Sequence, residues 1–221
     1  MNEKMKIRAQ LQFPFNFEKH ASKQYTQELV NHLYSLVEKA CCSLHNKFGY
    51  SIWQNHVLLV VKYAKLLAQQ LRADEEVCEI SALLHDYAGI LDFNLYEDHH
   101  VHSARIAHEL LLKLEYPKDK VEHIKHCILS HRASKNIPRK TKEANIIASA
   151  DAIAHIIAWE SLLDLALFEY SYAEPEAKAW VARKLSRSYQ KIMPEALLFI
   201  EEKYKLIKIA LDASIPLIPS E

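Results

Sequence analysis

The chain has 221 residues, which suffices for one domain with extensions or for two small domains. Lys and Arg together number 28, as do Asp and Glu, so the formal net charge is zero and no bulk attraction to nucleic acid or anionic membranes is expected. Only two glycines occur, Gly49 and Gly89, which disfavours sheet-rich folds and excludes glycine-rich phosphate loops. The composition therefore predicts an all-α globular protein.

Helical periodicity starts after an irregular N-terminal arm, predicted over 1–22, and continues along the chain. The predicted helices cover, in chain order, about 23–46, 51–72, 75–89, 99–114, 117–131, 141–170, 175–191 and 194–212. Loops are expected over 90–98 and 132–140. No Gly- or Ser-rich linker divides the chain. We therefore interpret 23–172 as one compact helical bundle and 173–221 as its C-terminal helical extension.

The cysteines and the N-terminal sequence bear on the cellular compartment. The four cysteines (Cys41, Cys42, Cys78 and Cys127) form no CxxC pair, and the first ten residues do not resemble a signal peptide. No uninterrupted apolar run approaches the roughly 18 residues that span a bilayer. These features predict reduced thiols, a cytoplasmic protein and no membrane partner.

Thirteen histidines are present, and histidine is the commonest metal ligand in proteins. The adjacent His85 and Asp86 lie in the apolar segment SALLHDYAG, where a buried carboxylate costs several kcal/mol unless it is paired or bound to a cation. His56 lies on the core side of its predicted helix, and Asp151 lies in the Ala- and Ile-rich segment ANIIASADAIAHIIAW. Each residue alone also fits an ordinary structural role, such as a core histidine or a helix-ending carboxylate.

Together, His56, His85, Asp86 and Asp151 supply two imidazoles and two carboxylates from three predicted helices. Mixed nitrogen and oxygen ligation suits Zn, Mn, Fe, Ni or Co better than Ca. Four protein ligands around such a divalent ion leave positions open for water and substrate. The pattern therefore favours a catalytic metal site.

The order of these residues resembles the H…HD…D signature of the HD-domain superfamily of metal-dependent phosphohydrolases. The similarity extends over roughly 51–160 and includes ALLHD, HSARIAHELL and CILSHRASKNIPRKTKEANIIASADAIAHI. The resemblance implies an all-α bundle of the HD type with extra N- and C-terminal helices. It also implies hydrolysis of a phosphate ester or anhydride of a small molecule, a nucleotide in particular, by a metal-bound hydroxide that Asp86 orients.

Two further histidines extend the predicted site. His102 stands where several members of the family place another histidine, and His131 lies on the apolar side of its helix. In members with both residues they bind a second metal, which Asp86 bridges to the first. The alternative is a single-metal site, in which His102 and His131 hold the phosphate or give a proton to the leaving oxygen. His99 is expected either at the mouth of the site or in a solvated loop, with the loop favoured, and His155 next to the site or in the core.

The sequence departs from the family at Gly89, because many members carry a lysine three residues after the HD aspartate. This departure puts phosphate binding by that lysine in doubt. The nearest substitutes are Arg105, Arg132 and Lys142, which we expect as candidate phosphate-binding cations.

Two alternative functions stay open at this point. One is a sensory or scaffolding module that binds metal without turnover, and the other is a di-iron oxygenase, since some relatives of this fold use two irons and dioxygen. The expected partner is a small phosphorylated substrate rather than nucleic acid, and both a monomer and a homodimer are open. Metal content measured together with turnover on phosphate esters would discriminate between these functions.

Overall fold

The computed structural model of the chain describes residues 23–212, apart from 133 and 136. Within these residues the fold consists of α-helices with short 3-10 and π turns and contains no strand, which confirms the all-α prediction. The predicted N-terminal arm, 1–22, lies outside the described residues. The α-helices are α1 (Lys23–Cys41), α2 (Leu58–Leu71), α3 (Glu75–Leu84), α4 (Tyr87–Leu91), α5 (His99–Lys113), α6 (Lys118–Ser130), α7 (Lys142–Ile157), α8 (Trp159–Asp164), α9 (Glu174–Gln190), α10 (Pro194–Leu197) and α11 (Glu201–Asp212).

Helices α2, α3, α5, α6 and α7 form the centre of the bundle, with α5 against α6 and α2 against both α3 and α7. Helix α7 is buried on every side, including Ile146, Ile147 and Ile153, which is the pattern of a central core helix. Each such side chain contributes roughly 1.5–3 kcal/mol through removal from water. Helix α9 packs on α7, so part of the predicted extension 173–221 contacts the bundle. The division at 172 stays a prediction.

The helix predicted over 75–89 is broken at the HD pair. Helix α3 ends at Leu84, and Asp86 adopts φ −107° and ψ 5°, outside helical geometry, before α4 begins at Tyr87. In an unbroken helix, neighbouring side chains point about 100° apart. The break removes this constraint, so His85 and Asp86 can direct their side chains to one point.

Other boundaries also differ from the sequence prediction: the first helix, predicted over 23–46, ends at Cys41, and the π turn Trp53–Val57 precedes α2 in the helix predicted over 51–72. The helix predicted over 141–170 bends at Ala158, whose φ of −104° and ψ of 41° are not helical, and the last predicted helix is divided into α10 and α11. The expected loop over 90–98 instead includes the end of α4 and a 3-10 helix, Phe93–Asp98. Neither Gly nor Pro marks the bend at Ala158, so it is set by packing.

No single helix among the described residues is long and apolar enough to cross a membrane; α7 taken together with Trp159–Glu169 passes that test, but the two are bent by 78°. The four cysteines are all free, and Cys41, Cys78 and Cys127 are buried.

The N-cap of α3 provides a stability test of the helix that leads into the HD pair. The Asp74 carboxylate accepts a hydrogen bond from the Val77 N–H at 3.0 Å. Asp74→Ala should therefore lower the free energy of unfolding by about 1 kcal/mol, because that N–H loses its acceptor. Asp74→Asn keeps an acceptor oxygen and should retain most of the stability. Urea denaturation monitored by circular dichroism measures both variants, and equal midpoints for Asp74→Ala and the wild type would contradict this role.

Candidate metal centre

The four residues predicted as ligands bring their ligand atoms together around His56 Nε2. His56 Nε2 lies 3.1 Å from His85 Nε2, 3.2 Å from Asp86 Oδ2 and 3.5 Å from Asp151 Oδ1. His85 Nε2 lies 3.4 Å and 3.9 Å from the same two carboxylate oxygens. Ligand atoms bound to one ion at about 2.0–2.2 Å are separated by distances of this size. We refer to these residues as the first ligand group.

A second ligand group consists of Asp86, His99 and His131. Asp86 Oδ1 lies 3.1 Å from His99 Nε2 and 3.7 Å from His131 Nε2, and the two ring nitrogens are 3.3 Å apart. Asp86 Oδ1 is buried and has no hydrogen-bond partner within the described part of the chain. Asp86 therefore directs one oxygen to each ligand group and stands between them.

Main-chain carbonyls set the ring orientation of three of these histidines. Nδ1 of His85 lies 2.7 Å from the Ala82 carbonyl, and the His99 and His131 Nδ1 atoms lie 2.6 Å from the carbonyls of Tyr96 and Ile128. Because a carbonyl can only accept, each Nδ1 carries the proton. In the neutral ring the lone pair is then on Nε2, which is the tautomer that binds a metal.

The backbone around the histidines is irregular where the side chains enter the site. His56 lies in a π-helical turn, Trp53–Val57, and such turns are frequent at functional sites. His85 and His131 each follow the last residue of a helix, α3 and α6 respectively. His99 is the first residue of α5, and its ring stacks on Tyr96 with 5.3 Å between centroids.

The charge states of the site favour a bound cation. Burial raises the pKa of Asp86 and of Asp151, but neighbouring basic side chains, His85 and His99 for Asp86 and His155 and Lys191 for Asp151, hold both pKa values well below the usual range. Burial lowers the pKa of His131 well below its usual value, and also lowers that of His99. Two ionised carboxylates and two neutral imidazoles are thus available at neutral pH, and the residues fit a divalent ion.

His85 differs from these two histidines. Burial alone would lower the pKa of His85, but the Asp86 and Asp151 carboxylates raise it to about 9. Without an ion, His85 therefore carries a second ring proton, and its positive charge partly compensates the negative charges of Asp86 and Asp151. A divalent ion would replace that proton.

His99 takes the place that the sequence analysis assigned to His102. His102 is half-buried and belongs to none of the potential metal-binding groups found among residues 23–212. The two residues are three positions apart on α5, so His102 lies about 4.5 Å further along the helix axis. The choice between them depends on where α5 begins, and the periodicity of the segment EDHHVH does not specify it.

His155 also lies in the site. Its Nδ1 is 3.4 Å from Asp151 Oδ1, and its ring stacks on His56 with 4.8 Å between centroids. His155 Nδ1 is buried without a hydrogen-bond partner within the described residues. The residue therefore either orients Asp151 or adds a ligand, in agreement with its expected place next to the site.

The structure separates the three cations predicted to bind phosphate. Arg105 Nη1 lies 3.2 Å from Glu109 on the surface of α5, and Lys142 Nζ donates to the Leu71 carbonyl at 2.7 Å. Neither residue lines a cavity at the metal centre. Arg132 does line one, and it is paired with Glu97 at 3.1 Å. Of the three, only Arg132 is placed to meet a substrate.

A lysine that the sequence analysis did not consider lies at the centre. Lys191, just after α9, forms an ion pair with Asp151 Oδ2 and donates to the His131 carbonyl at 3.0 Å. Lys191 is 40 positions beyond Asp151, which is why no local motif indicates it.

Gly89 stands where many members of the family carry a lysine. A Cβ atom at Gly89 would lie 3.4 Å from the Tyr96 ring and 3.6 Å from His99 Cβ, so these two residues occupy the adjacent space.

Two cavities meet at the metal centre, and both are lined by Asp86, Tyr96 and His155. The first has a volume of about 420 Å³ and apolar walls that include Phe48 and Phe168. The second has a volume of about 510 Å³. Its charged and polar wall contains His99, His131, Arg132, Lys184, Arg187 and Lys191.

The first ligand group predicts that His85→Ala removes the bound metal. The variant deletes the Nε2 ligand of His85 and leaves the carboxylates of Asp86 and Asp151 without it, so metal content should fall by at least about 10-fold. Elemental analysis of protein purified without chelator measures this loss. His45→Ala, at an exposed position, is the matched control and should keep the wild-type content. A His85→Ala protein that folds and retains the full metal content would contradict the site.

Comparison with known proteins supports this centre. Residues 53–156 match the family model of the HD domain. The crystal structure of YpgQ from Bacillus subtilis superposes with a TM-score of 0.64 at 18% identity, covering 86% of this chain and 97% of that chain. A predicted HD superfamily hydrolase from an uncultured Thermotogales bacterium gives a TM-score of 0.50 at 19% identity, covering 80% and 90% of the two chains. No curated protein matches the chain.

At these identities the two solved structures show a shared fold. The family model covers the segment that contains His56, His85, Asp86 and Asp151. Proteins with HD domains are generally metal-dependent hydrolases, and the domain binds divalent metals. Residues 53–156 of this chain therefore form an HD domain.

Proposed function

We propose that this protein is a metal-dependent phosphohydrolase that cleaves a phosphate ester or anhydride of a small molecule, a nucleotide in particular. The observation that carries the proposal is the position of Asp86, which directs one carboxylate oxygen to each of two ligand groups. A carboxylate between two ions is the arrangement of two-metal hydrolytic sites. The cationic wall of the second cavity adds a surface that attracts phosphate.

Each ligand group would hold one divalent ion. His56, His85, Asp86 and Asp151 would bind the first, and Asp86, His99 and His131 the second. The nitrogen and oxygen ligands suit Mn, Fe, Co, Ni or Zn. Such an ion, when bound, lowers the pKa of a coordinated water and polarises a phosphoryl oxygen.

The residues of the chain contribute mainly positioning and charge. Asp86 fixes the two ligand groups relative to one another, and Lys191 holds the Asp151 carboxylate through an ion pair. Arg132 faces the second cavity and brings a positive charge to the phosphate. With His131 Nε2 directed at Asp86, we assign His131 to ion binding rather than to protonation of the leaving oxygen.

The same ligand set also supports a second candidate, a di-iron oxygenase. A carboxylate between two groups of buried imidazoles suits two irons as well as two ions that act as Lewis acids. Metal identity and dioxygen uptake discriminate between the two candidates. The sensory or scaffolding alternative drew its support from Gly89, which stands in place of the family's lysine. Lys191 and Arg132 supply cations at the centre instead, so the missing lysine no longer favours that alternative.

Turnover tests the proposed function directly. Protein loaded with Mn²⁺ should hydrolyse one or more compounds in a panel of nucleotides and phosphate esters, with products resolved by ion-exchange chromatography. Asp86→Asn removes the charge shared by both ligand groups and should lower kcat/KM by at least about 100-fold. His102→Ala is the control and should stay within about 2-fold of the wild type, because His102 belongs to neither group. Bound metal without hydrolysis of any compound would favour the sensory module.

Metal stoichiometry tests the second ligand group separately. The wild-type chain should bind two Mn²⁺ ions, and His99→Ala should bind one, because Asp86 and His131 alone form an incomplete site. His102→Ala should still bind two ions. Titration of the metal-free protein by calorimetry or by electron paramagnetic resonance gives the number of ions. Two ions bound to His99→Ala, or one bound to the wild type, would contradict the second group.

A further inference from the structure

Helix α9 forms a row of cations along one wall of the second cavity. Lys184, Arg187 and Lys191 all line this cavity, and their spacing of three and four residues places them on one helix face. From Lys184 to Lys191 the row extends about 10 Å along the helix axis. Asp86 and His131 of the metal centre line the same cavity.

These cations differ in whether a partner already compensates their charge. Lys191 is paired with Asp151, and Arg132 is paired with Glu97. Within the described residues, which exclude 133 and 136, Lys184 and Arg187 have no hydrogen bond or ion pair. The Lys184 Nζ lies 5.8 Å from the centroid of the Trp180 ring, which also lines the cavity. Two cations of the wall are thus available to an anionic ligand.

Lys184 is half-buried, which makes the missing partner significant. Burial lowers the pKa of the Lys184 ammonium, whereas the carboxylates of Asp151 and Asp86 raise it. Lys184 lines the same cavity as Asp86 and Asp151, and neither carboxylate forms an ion pair with its ammonium. A partly desolvated ammonium without a hydrogen-bonded anion costs free energy, which an anionic ligand in the cavity would recover.

We propose that Lys184 and Arg187 form a phosphate subsite that binds a phosphoryl group next to the one at the metal centre. The proposal rests on the proposed function, in which the metal centre holds the phosphoryl group that reacts. A row of cations leading away from that centre fits linked phosphoryl groups better than a single one. The substrate class is therefore a phosphoanhydride, a compound with two or more linked phosphoryl groups. The subsite adds binding contacts and no new chemical step.

Binding of inorganic polyphosphates tests the subsite without depending on turnover. Isothermal titration calorimetry with Mn²⁺-loaded protein compares inorganic phosphate with a non-hydrolysable tripolyphosphate analogue, in which NH replaces the bridging oxygens; it is titrated as its manganese complex and called tripolyphosphate below. Lys184→Gln and Arg187→Gln should each weaken tripolyphosphate binding by about 10-fold, the effect expected for the loss of one charge-assisted hydrogen bond. The double variant should weaken it by about 100-fold. Inorganic phosphate needs only the metal centre, so its affinity should change by less than about 2-fold in these variants.

Arg183→Gln is the matched control, because Arg183 is an exposed neighbour on α9 that lines neither cavity. Its tripolyphosphate affinity should equal that of the wild type. Arg187 is also exposed, so Arg187→Gln keeps the test valid if Lys184→Gln does not fold. Unchanged tripolyphosphate affinity in the folded variants would overturn the proposal. It would also be overturned by an equal loss of phosphate affinity, or by a wild type that does not bind tripolyphosphate.

The outcomes for the subsite and for the proposed function can be distinguished. If the variants lose tripolyphosphate affinity but the wild type hydrolyses no phosphate compound, the subsite stands and the phosphohydrolase does not. If the wild type hydrolyses phosphate compounds but tripolyphosphate affinity does not depend on Lys184 or Arg187, the subsite fails and the proposed function stands.

Discussion

Two ionised carboxylates, Asp86 and Asp151, lie among apolar helices, and the site is arranged to compensate their charge. Asp151 is 3% exposed on a helix whose other core-facing residues are Ala, Ile and Ser. An isolated buried carboxylate is too costly to retain, so each one requires a cation or hydrogen-bond donors. The imidazoles of His56, His85 and His155 and the ammonium of Lys191 meet this need in part. A divalent ion would complete it.

Interruptions of the helices make this convergence possible. An unbroken helix cannot direct two adjacent side chains to one point, and the non-helical backbone at Asp86 allows it for His85 and Asp86. The π turn at His56 and the helix ends at His99 and His131 have the same effect. Main-chain carbonyls then orient three of the imidazoles, so the irregular segments both place and align the ligands.

The C-terminal helices are part of the site rather than an addition to it. Helix α9 and the residue after it bring Lys184, Arg187 and Lys191 to the cavity next to the metal centre. The HD segment, which ends at residue 156, contributes the ligand groups and Arg132 but none of these three cations. Charge from outside the matched segment therefore lines the cavity, and the phosphate subsite that we propose lies on the extension.

From the sequence alone, composition and periodicity were sufficient for the all-α class, and the H…HD…D pattern was sufficient to select His56, His85, Asp86 and Asp151, whose side chains the structure brings together. These signals are local or depend on order along the chain, so they can be read without coordinates. Only the tertiary structure decided between His99 and His102, identified Lys191, and left Arg105 and Lys142 outside the site. The physical reason is that these outcomes depend on where helices begin, break and pack. Such features result from long-range burial, and no residue type at the position itself encodes them.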